Sequence, residues 1–175
     1  RAQIASLSKS GATRLIIDLR NVAAGDLVEG VAAARLFVGS GTLAVRESRA
    51  AGQAKIEATK GDGAVTLPVT LLVDSGTSGP AEIFAAALAG NKRAELVGER
   101  TIGRAGVQEL VKLPDGSALW ITSSRYLTPA SAALQAKGLD PDVVVDQPGA
   151  EFGAPAPADA ILQRAVERLS TKKAA

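Results

Sequence analysis

Three short and almost continuously apolar runs, separated by helical patterns, constrain what this chain can fold into. They cover 14–19, Val69–Val73 and Ala94–Gly98. Such runs lack the apolar–polar alternation of a half-exposed strand, so they predict strands that are buried on both faces. Strands that alternate with helices favour an α/β fold around a mostly parallel, buried sheet. We therefore predict that the three strands are neighbours in one sheet and that a helix over 83–88 packs against it.

The remaining patterns complete the predicted order of elements. Helices are expected over 1–10, 26–38 and 159–169, and further strands over 42–46, 55–59, 107–113, 118–123 and 143–145. The chain opens inside a helical pattern, which suggests a core that is incomplete at its N-terminus. We predict that this core spans 1–153, and that 154–175 hold a linker, a closing helix and a frayed tail from Ser170 on.

The amino acids that are missing from the chain exclude several kinds of chemistry. There is no Cys and no His, so the sequence offers no disulfide, no thiol nucleophile and no Cys/His metal site. The commonest general base at neutral pH is absent as well. Basic residues are scattered and aromatic residues make up only 3%, which predicts no nucleic-acid partner. We also expect no cofactor, and no apolar run is long enough to span a membrane.

Two strand-to-helix junctions are the places where chemistry is expected. They cover 19–25 and 74–82, and α/β proteins bind ligands at the carboxyl ends of strands, beside helix N-termini. A strand, a tight Gly/Ser turn and a helix is also the layout of a nucleophile elbow. Thr77 and Ser78 are read either as helix caps or as nucleophiles. Asp18 and Arg20 are read either as a structural ion pair or as catalytic groups.

A series of motifs resembles the core of the C-terminal processing (tail-specific) serine peptidases. In chain order they are Asp18-Leu19-Arg20-Asn21, Gly76-Thr77-Ser78-Gly79-Pro80-Ala81-Glu82-Ile83, Arg93 to Gln108, Leu113-Pro114-Asp115-Gly116-Ser117, Tyr126-Leu127-Thr128-Pro129 and Lys137-Gly138-Leu139-Asp140-Pro141-Asp142. The resemblance covers most of 11–147. It implies a ClpP/crotonase-like superhelix of ββα units that acts on protein or peptide substrates. It further implies a periplasmic, cell-envelope or secreted location and an upstream PDZ domain.

The catalytic residues of that family are not carried over. Gly79 stands where the resemblance places the nucleophilic Ser, and Arg104 stands where it places the Lys base. Glycine has no nucleophile, and arginine does not deprotonate in proteins. A supporting Asp of some members falls at Gly90, and one of two oxyanion-hole glycines is Ala24, whereas Gly25 matches the other.

Two functions remain open from the sequence. The first is a domain that handles extended or C-terminal peptide segments of proteins without Ser–Lys hydrolysis. Its expected substrate contacts are Gly25, Gly76, Thr77 and Gln108, and Arg104 is expected to point into the cleft beside Gly79 and to bind an anion. The alternative is a serine endopeptidase with Ser78 as a shifted nucleophile. Its base would be one of Lys92, Lys112, Glu82 and Glu99, although Glu82 is also expected to be a structural first-turn charge.

Overall fold

The computed structural model describes residues 2–147 and 158–171, which form four helices and eight strands. The helices are α1 (Ala2–Lys9), α2 (Leu27–Ala34), α3 (Pro80–Gly90) and α4 (Ala160–Thr171). The strands are β1 (Leu15–Asp18), β2 (Thr42–Ser48), β3 (Gly52–Glu57), β4 (Val69–Val73), β5 (Ala94–Gly98), β6 (Gly106–Lys112), β7 (Ala118–Leu127) and β8 (Val143–Val144). Every predicted helix and strand is present; β4 and β5 have the predicted ends, and the ends of the others are shifted.

The parallel sheet predicted from the apolar runs is confirmed. Its strand order is β1-β4-β5-β8, and each neighbouring pair is parallel. β4 is buried along its whole length, since Leu71 and Val73 face one side of the sheet and Leu72 faces the other. Both sides are covered by helices, which is why this strand carries no polar alternation. The predicted packing of the helix over 83–88 is confirmed as well, because Ile83 and Leu88 of α3 join the core of this sheet.

The other four strands form a second sheet that is antiparallel, with the order β3-β2-β7-β6. Short turns join β2 to β3 and β6 to β7, and a short turn permits only antiparallel pairing. β6 lies at one edge of this sheet, where it pairs with β7 alone among the described strands. The prediction of a mostly parallel sheet therefore applies to the first sheet, and the hairpins make up the second.

The closing helix α4 packs on the face of the parallel sheet opposite α3. Ile161 and Ala165 of α4 form a small cluster with Leu72 and Val97. α4 continues to Thr171, past the expected fraying point, while the predicted linker at 154–157 and residues 172–175 lie outside the described residues. The core and the closing helix are therefore in direct contact.

Asp18 and Arg20 form a structural ion pair that extends to the start of α4. The Arg20 guanidinium donates to Asp18 Oδ2 at 2.7 Å and to Asp159 Oδ1 at 2.8 Å. The hydrogen bonds from Arg20 lower the pKa of both carboxyl groups below their usual values. The ion pairs of Arg20 with Asp18 and Asp159 connect the end of β1 to the closing helix, which supports the structural interpretation of Asp18 and Arg20.

We expect the substitution Thr70→Val to stabilise the protein. Thr70 is completely buried in β4, and its hydroxyl has no hydrogen-bond partner among the described residues. Since a buried, unpaired hydroxyl costs free energy, its removal should raise the free energy of unfolding by about 1 kcal/mol. A urea denaturation midpoint that rises at constant slope would report this gain.

Thr77→Val is the matched control, because Thr77 is also completely buried but its hydroxyl donates to Leu19 O at 2.9 Å. This second substitution should lower the midpoint. A loss of stability in both variants would contradict the assignment of Thr70 as an unpaired group.

Candidate active site

The two predicted junctions meet at the carboxyl ends of β1 and β4, which are adjacent parallel strands. The Thr77 hydroxyl donates to Leu19 O at 2.9 Å, and the Ser78 N–H donates to Val22 O at 2.9 Å. Hydrogen bonds of this kind satisfy the backbone groups of both turns at once. The two segments therefore form one floor, and the junctions do not act as independent loops.

A cavity of about 700 Å³ opens above this floor. Five of the predicted site residues line it, namely Gly25, Ser78, Gly79, Arg104 and Gln108. Gly76 and Thr77 are not among the lining residues. Thr77 is fully buried, and its hydroxyl is held by the backbone of the neighbouring junction, so the structure places it beneath the cleft as a link between segments.

Gly79 has the backbone of a nucleophile elbow without a nucleophile. Its φ of 62° and ψ of −123° lie in a region that side chains rarely adopt and that is typical of strained functional turns. A Cβ at Gly79 would meet Leu27 Cδ2 at 3.7 Å and Arg104 O at 3.8 Å, both ordinary contact distances. The turn thus has room for a Cβ atom, although the positive φ strains any residue with a side chain there.

The residue after Gly79 removes a second part of the expected machinery. An elbow nucleophile usually has the N–H of the following residue as an oxyanion-hole donor, and here that residue is Pro80, the first residue of α3. Proline has no N–H. The loss of this donor is visible in the sequence at Pro80, but it was not among the predicted features of the site.

Glu82 is buried below the elbow and holds the loop that carries Arg104. The side chain of Glu82 is 0% exposed. Its two carboxyl oxygens accept four hydrogen bonds, from the Thr101 hydroxyl at 2.5 Å and from the N–H groups of Gly79 at 3.1 Å, Gly103 at 2.7 Å and Arg104 at 2.7 Å. A buried carboxyl group with this many donors fixes the geometry around it. Its structural role is thus larger than that of a first-turn charge.

The expected bases for Ser78 do not accompany it in the cleft. Lys92, Lys112 and Glu99 are absent from the cavity lining, and the oxygens of Glu82 are occupied by other donors. The N–H that would follow a nucleophile at Ser78 belongs to Gly79, and it already donates to Glu82. The geometry therefore does not favour Ser78 as a shifted nucleophile.

Several lining residues were missed because they come from distant parts of the chain. They include Arg46, Tyr126 and Gln135. Gln135 anchors the far wall, since its Oε1 accepts the N–H of Ala105 at 2.7 Å. Only tertiary pairing brings these residues to the cleft, so no local sequence pattern could identify them.

The described ranges contain neither a helix long and apolar enough to cross a membrane nor a cluster of carboxylate side chains arranged to hold a metal ion. Arg104 is exposed at the rim of the cleft, while its backbone N–H is fixed by Glu82. The anion-binding role predicted for its side chain remains a prediction at this point.

Comparison with known proteins agrees with the resemblance carried by the motifs. The model of peptidase family S41 matches residues 1–145. A carboxyl-terminal-processing protease of Synechocystis is 38% identical over 165 residues, which cover 94% of this chain and 38% of that protein. A chloroplastic C-terminal processing peptidase of Tetradesmus obliquus is 38% identical over 80% of this chain and 30% of its own length.

A solved structure points to the same family, and a more distant one shares the fold. The photosystem II D1 C-terminal processing protease matches with a TM-score of 0.74 and 35% identity, over 82% of this chain and 37% of that one. Mature CPAF shares the fold with a TM-score of 0.67 at 17% identity. The chain therefore belongs to the S41 family of serine peptidases, among the C-terminal processing members. It spans well under half the length of these relatives.

Proposed function

We propose that this domain binds extended or C-terminal segments of proteins in its cleft and does not cleave them by a Ser–Lys mechanism. The observation that carries the proposal is the elbow itself, which has Gly79 at the turn and Pro80 after it. Nucleophile, base and one oxyanion donor are all lacking at the positions where the family has them. Loss of a nucleophile alone lowers the rate by a factor on the order of 10⁶.

The edge strand β6 supplies a way to bind peptide backbone. Gly106, Val107 and Gln108 at its start line the cleft, and β6 pairs on one side only among the described strands. An extended peptide can add to such a free edge through main-chain hydrogen bonds. Affinity would then come from the peptide backbone and specificity from the side chains that line the cavity.

We propose a ligand class, a location and a neighbouring domain that correspond to those of the family. Protein substrates are the ligand class, and a periplasmic, cell-envelope or secreted location together with an upstream PDZ domain would suit their capture. The alternative function is serine endopeptidase activity through Ser78, which is among the residues that line the cleft.

A cleavage assay on a denatured protein separates the two functions. We expect wild type to be inert and Ser78→Ala to be indistinguishable from it. The double variant Gly79→Ser with Arg104→Lys tests whether the missing dyad is the main defect, since a Cβ at Gly79 meets no atom closer than an ordinary contact distance. Cleavage by wild type that is lost in a folded Ser78→Ala protein would overturn the proposal in favour of the alternative.

A binding assay tests the cleft directly. Ala23 is exposed at its wall, and Ala51 is exposed in the turn between β2 and β3. We expect Ala23→Trp to obstruct peptide binding, measured by fluorescence anisotropy with an unstructured labelled peptide, while Ala51→Trp leaves it unchanged. Equal binding by both variants would contradict the assignment of this cleft as the peptide site.

A further inference from the structure

Two arginines from separate parts of the chain line the same cleft. Arg104 lies on the loop whose backbone donates hydrogen bonds to the Glu82 carboxyl group, and Arg46 lies on β2. Arg46 is opposite Tyr126 in the β2–β7 ladder, and the Tyr126 N–H donates to Ala105 O at 2.8 Å, one residue beyond Arg104. The second sheet therefore brings Arg46 to the loop that carries Arg104.

Neither guanidinium is neutralised by an ion pair with a described carboxylate. The ion pairs of residues 2–147 and 158–171 engage other arginines. Arg46 Nε donates to Ser124 Oγ at 3.1 Å, which orients the side chain and leaves its two terminal nitrogens for another partner. Both arginines are exposed to the cleft and do not lie under other side chains.

The cleft also contains one acidic side chain. Asp26 lines the wall at the start of α2, and its N–H donates to Glu29 Oε2 at 3.1 Å. With two guanidinium groups and one carboxylate, the residues that line the cleft have a net positive charge. A positively charged concave site of this kind attracts anions and concentrates them.

We propose that Arg46 and Arg104 bind a carboxylate group of the peptide held in this cleft. The guanidinium fork matches a carboxylate with two parallel hydrogen bonds, and two forks can hold both oxygens. The inference rests on the proposed peptide-binding function and adds its ligand chemistry. The carboxylate belongs either to the C-terminus of the peptide or to an acidic side chain within it, because both groups present the same two oxygens.

Four versions of one labelled hexapeptide distinguish these sources. They combine a free or an amidated C-terminus with an internal Glu or Gln. We expect the peptide that lacks both carboxylates to bind wild type about tenfold more weakly than the peptide that has both. The two intermediate peptides identify which carboxylate is responsible.

Substitutions of the two arginines complete the test. In Arg104→Gln and Arg46→Gln, the affinity difference between charged and neutral peptides should shrink to about twofold or less. Arg49→Gln is the matched control, because Arg49 is exposed in the turn after β2 and does not line the cleft. Arg49→Gln should retain the full affinity difference between charged and neutral peptides. Equal affinity of all four peptides for wild type would overturn the carboxylate site while leaving peptide binding intact.

A titration with acetate makes the inference independent of peptide binding. We expect the Nε–H NMR signals of Arg46 and Arg104 to shift on addition of acetate, and that of Arg49 to shift much less. If no peptide binds wild type, the proposed function fails, and this titration still decides whether the cleft binds carboxylates. Three equal shifts would show nonspecific ion association and would overturn the site.

Discussion

Glu82→Ala is expected to lower the free energy of unfolding by about 4 kcal/mol, because it leaves several buried donors without an acceptor. The carboxyl group of Glu82 is completely buried and accepts one O–H and three N–H groups. Urea denaturation monitored by circular dichroism measures the loss.

Glu29→Ala provides a matched control in the other helix of the same core. Glu29 occupies the corresponding position of the first turn of α2, but it is exposed and accepts the N–H of Asp26 at 3.1 Å. Removal of such an exposed first-turn charge should cost less than about 1 kcal/mol. Similar losses in the two variants would show that Glu82 acts only as a helix-terminal charge and not as the anchor of the loop.

Gly138→Ala is expected to destabilise the fold by about 3 kcal/mol, through a backbone clash and a strained dihedral angle together. A Cβ at this position would lie 2.0 Å from Thr101 O and 2.8 Å from Thr101 C, and the φ of Gly138 is +69°. Backbone atoms can move aside only at a higher cost than the end of a flexible side chain. The substitution should therefore push residue 101 and its loop away from the floor of the cleft.

The contribution of the dihedral angle alone can be measured at Gly116. Its φ is +88°, and nothing lies within 4 Å of a Cβ built there. Gly116→Ala should cost only about 1 kcal/mol, since an alanine pays for the left-handed conformation without a clash. Equal denaturation midpoints for the two variants would refute the close approach of Gly138 to Thr101.

Glu82 and Gly138 hold the same loop from two sides. Thr101 donates its hydroxyl to Glu82, and its N–H donates to Leu139 O at 3.0 Å. The backbone of Arg104 is consequently fixed before any ligand arrives. An ordered backbone loses less conformational entropy on binding, so recognition by Arg104 requires the ordering of its side chain alone.

Much of the fold could be predicted from the sequence, because a strand that is buried on both faces lacks the alternation of apolar and polar residues. The strands β1, β4 and β5 are continuous apolar runs, and their neighbourhood in one parallel sheet follows from the helices between them. The positions of Gly79 and Arg104 beside one cleft were also predictable from the family motifs. Pro80 was equally visible in the sequence. The missing N–H could have been predicted from its place directly after the nucleophile position of the elbow.

The composition of the cleft was decided by tertiary structure. The sequence marks Glu82 as an acid in a first turn, but its four donors come from the turn before α3 and from a loop beyond β5. Arg46 reaches the cleft only through the pairing of β2 with β7, two strands that lie far apart in the sequence. Local periodicity records which side of a strand or helix is buried. It does not record which distant segment covers that side, since long-range contacts depend on the whole packed chain.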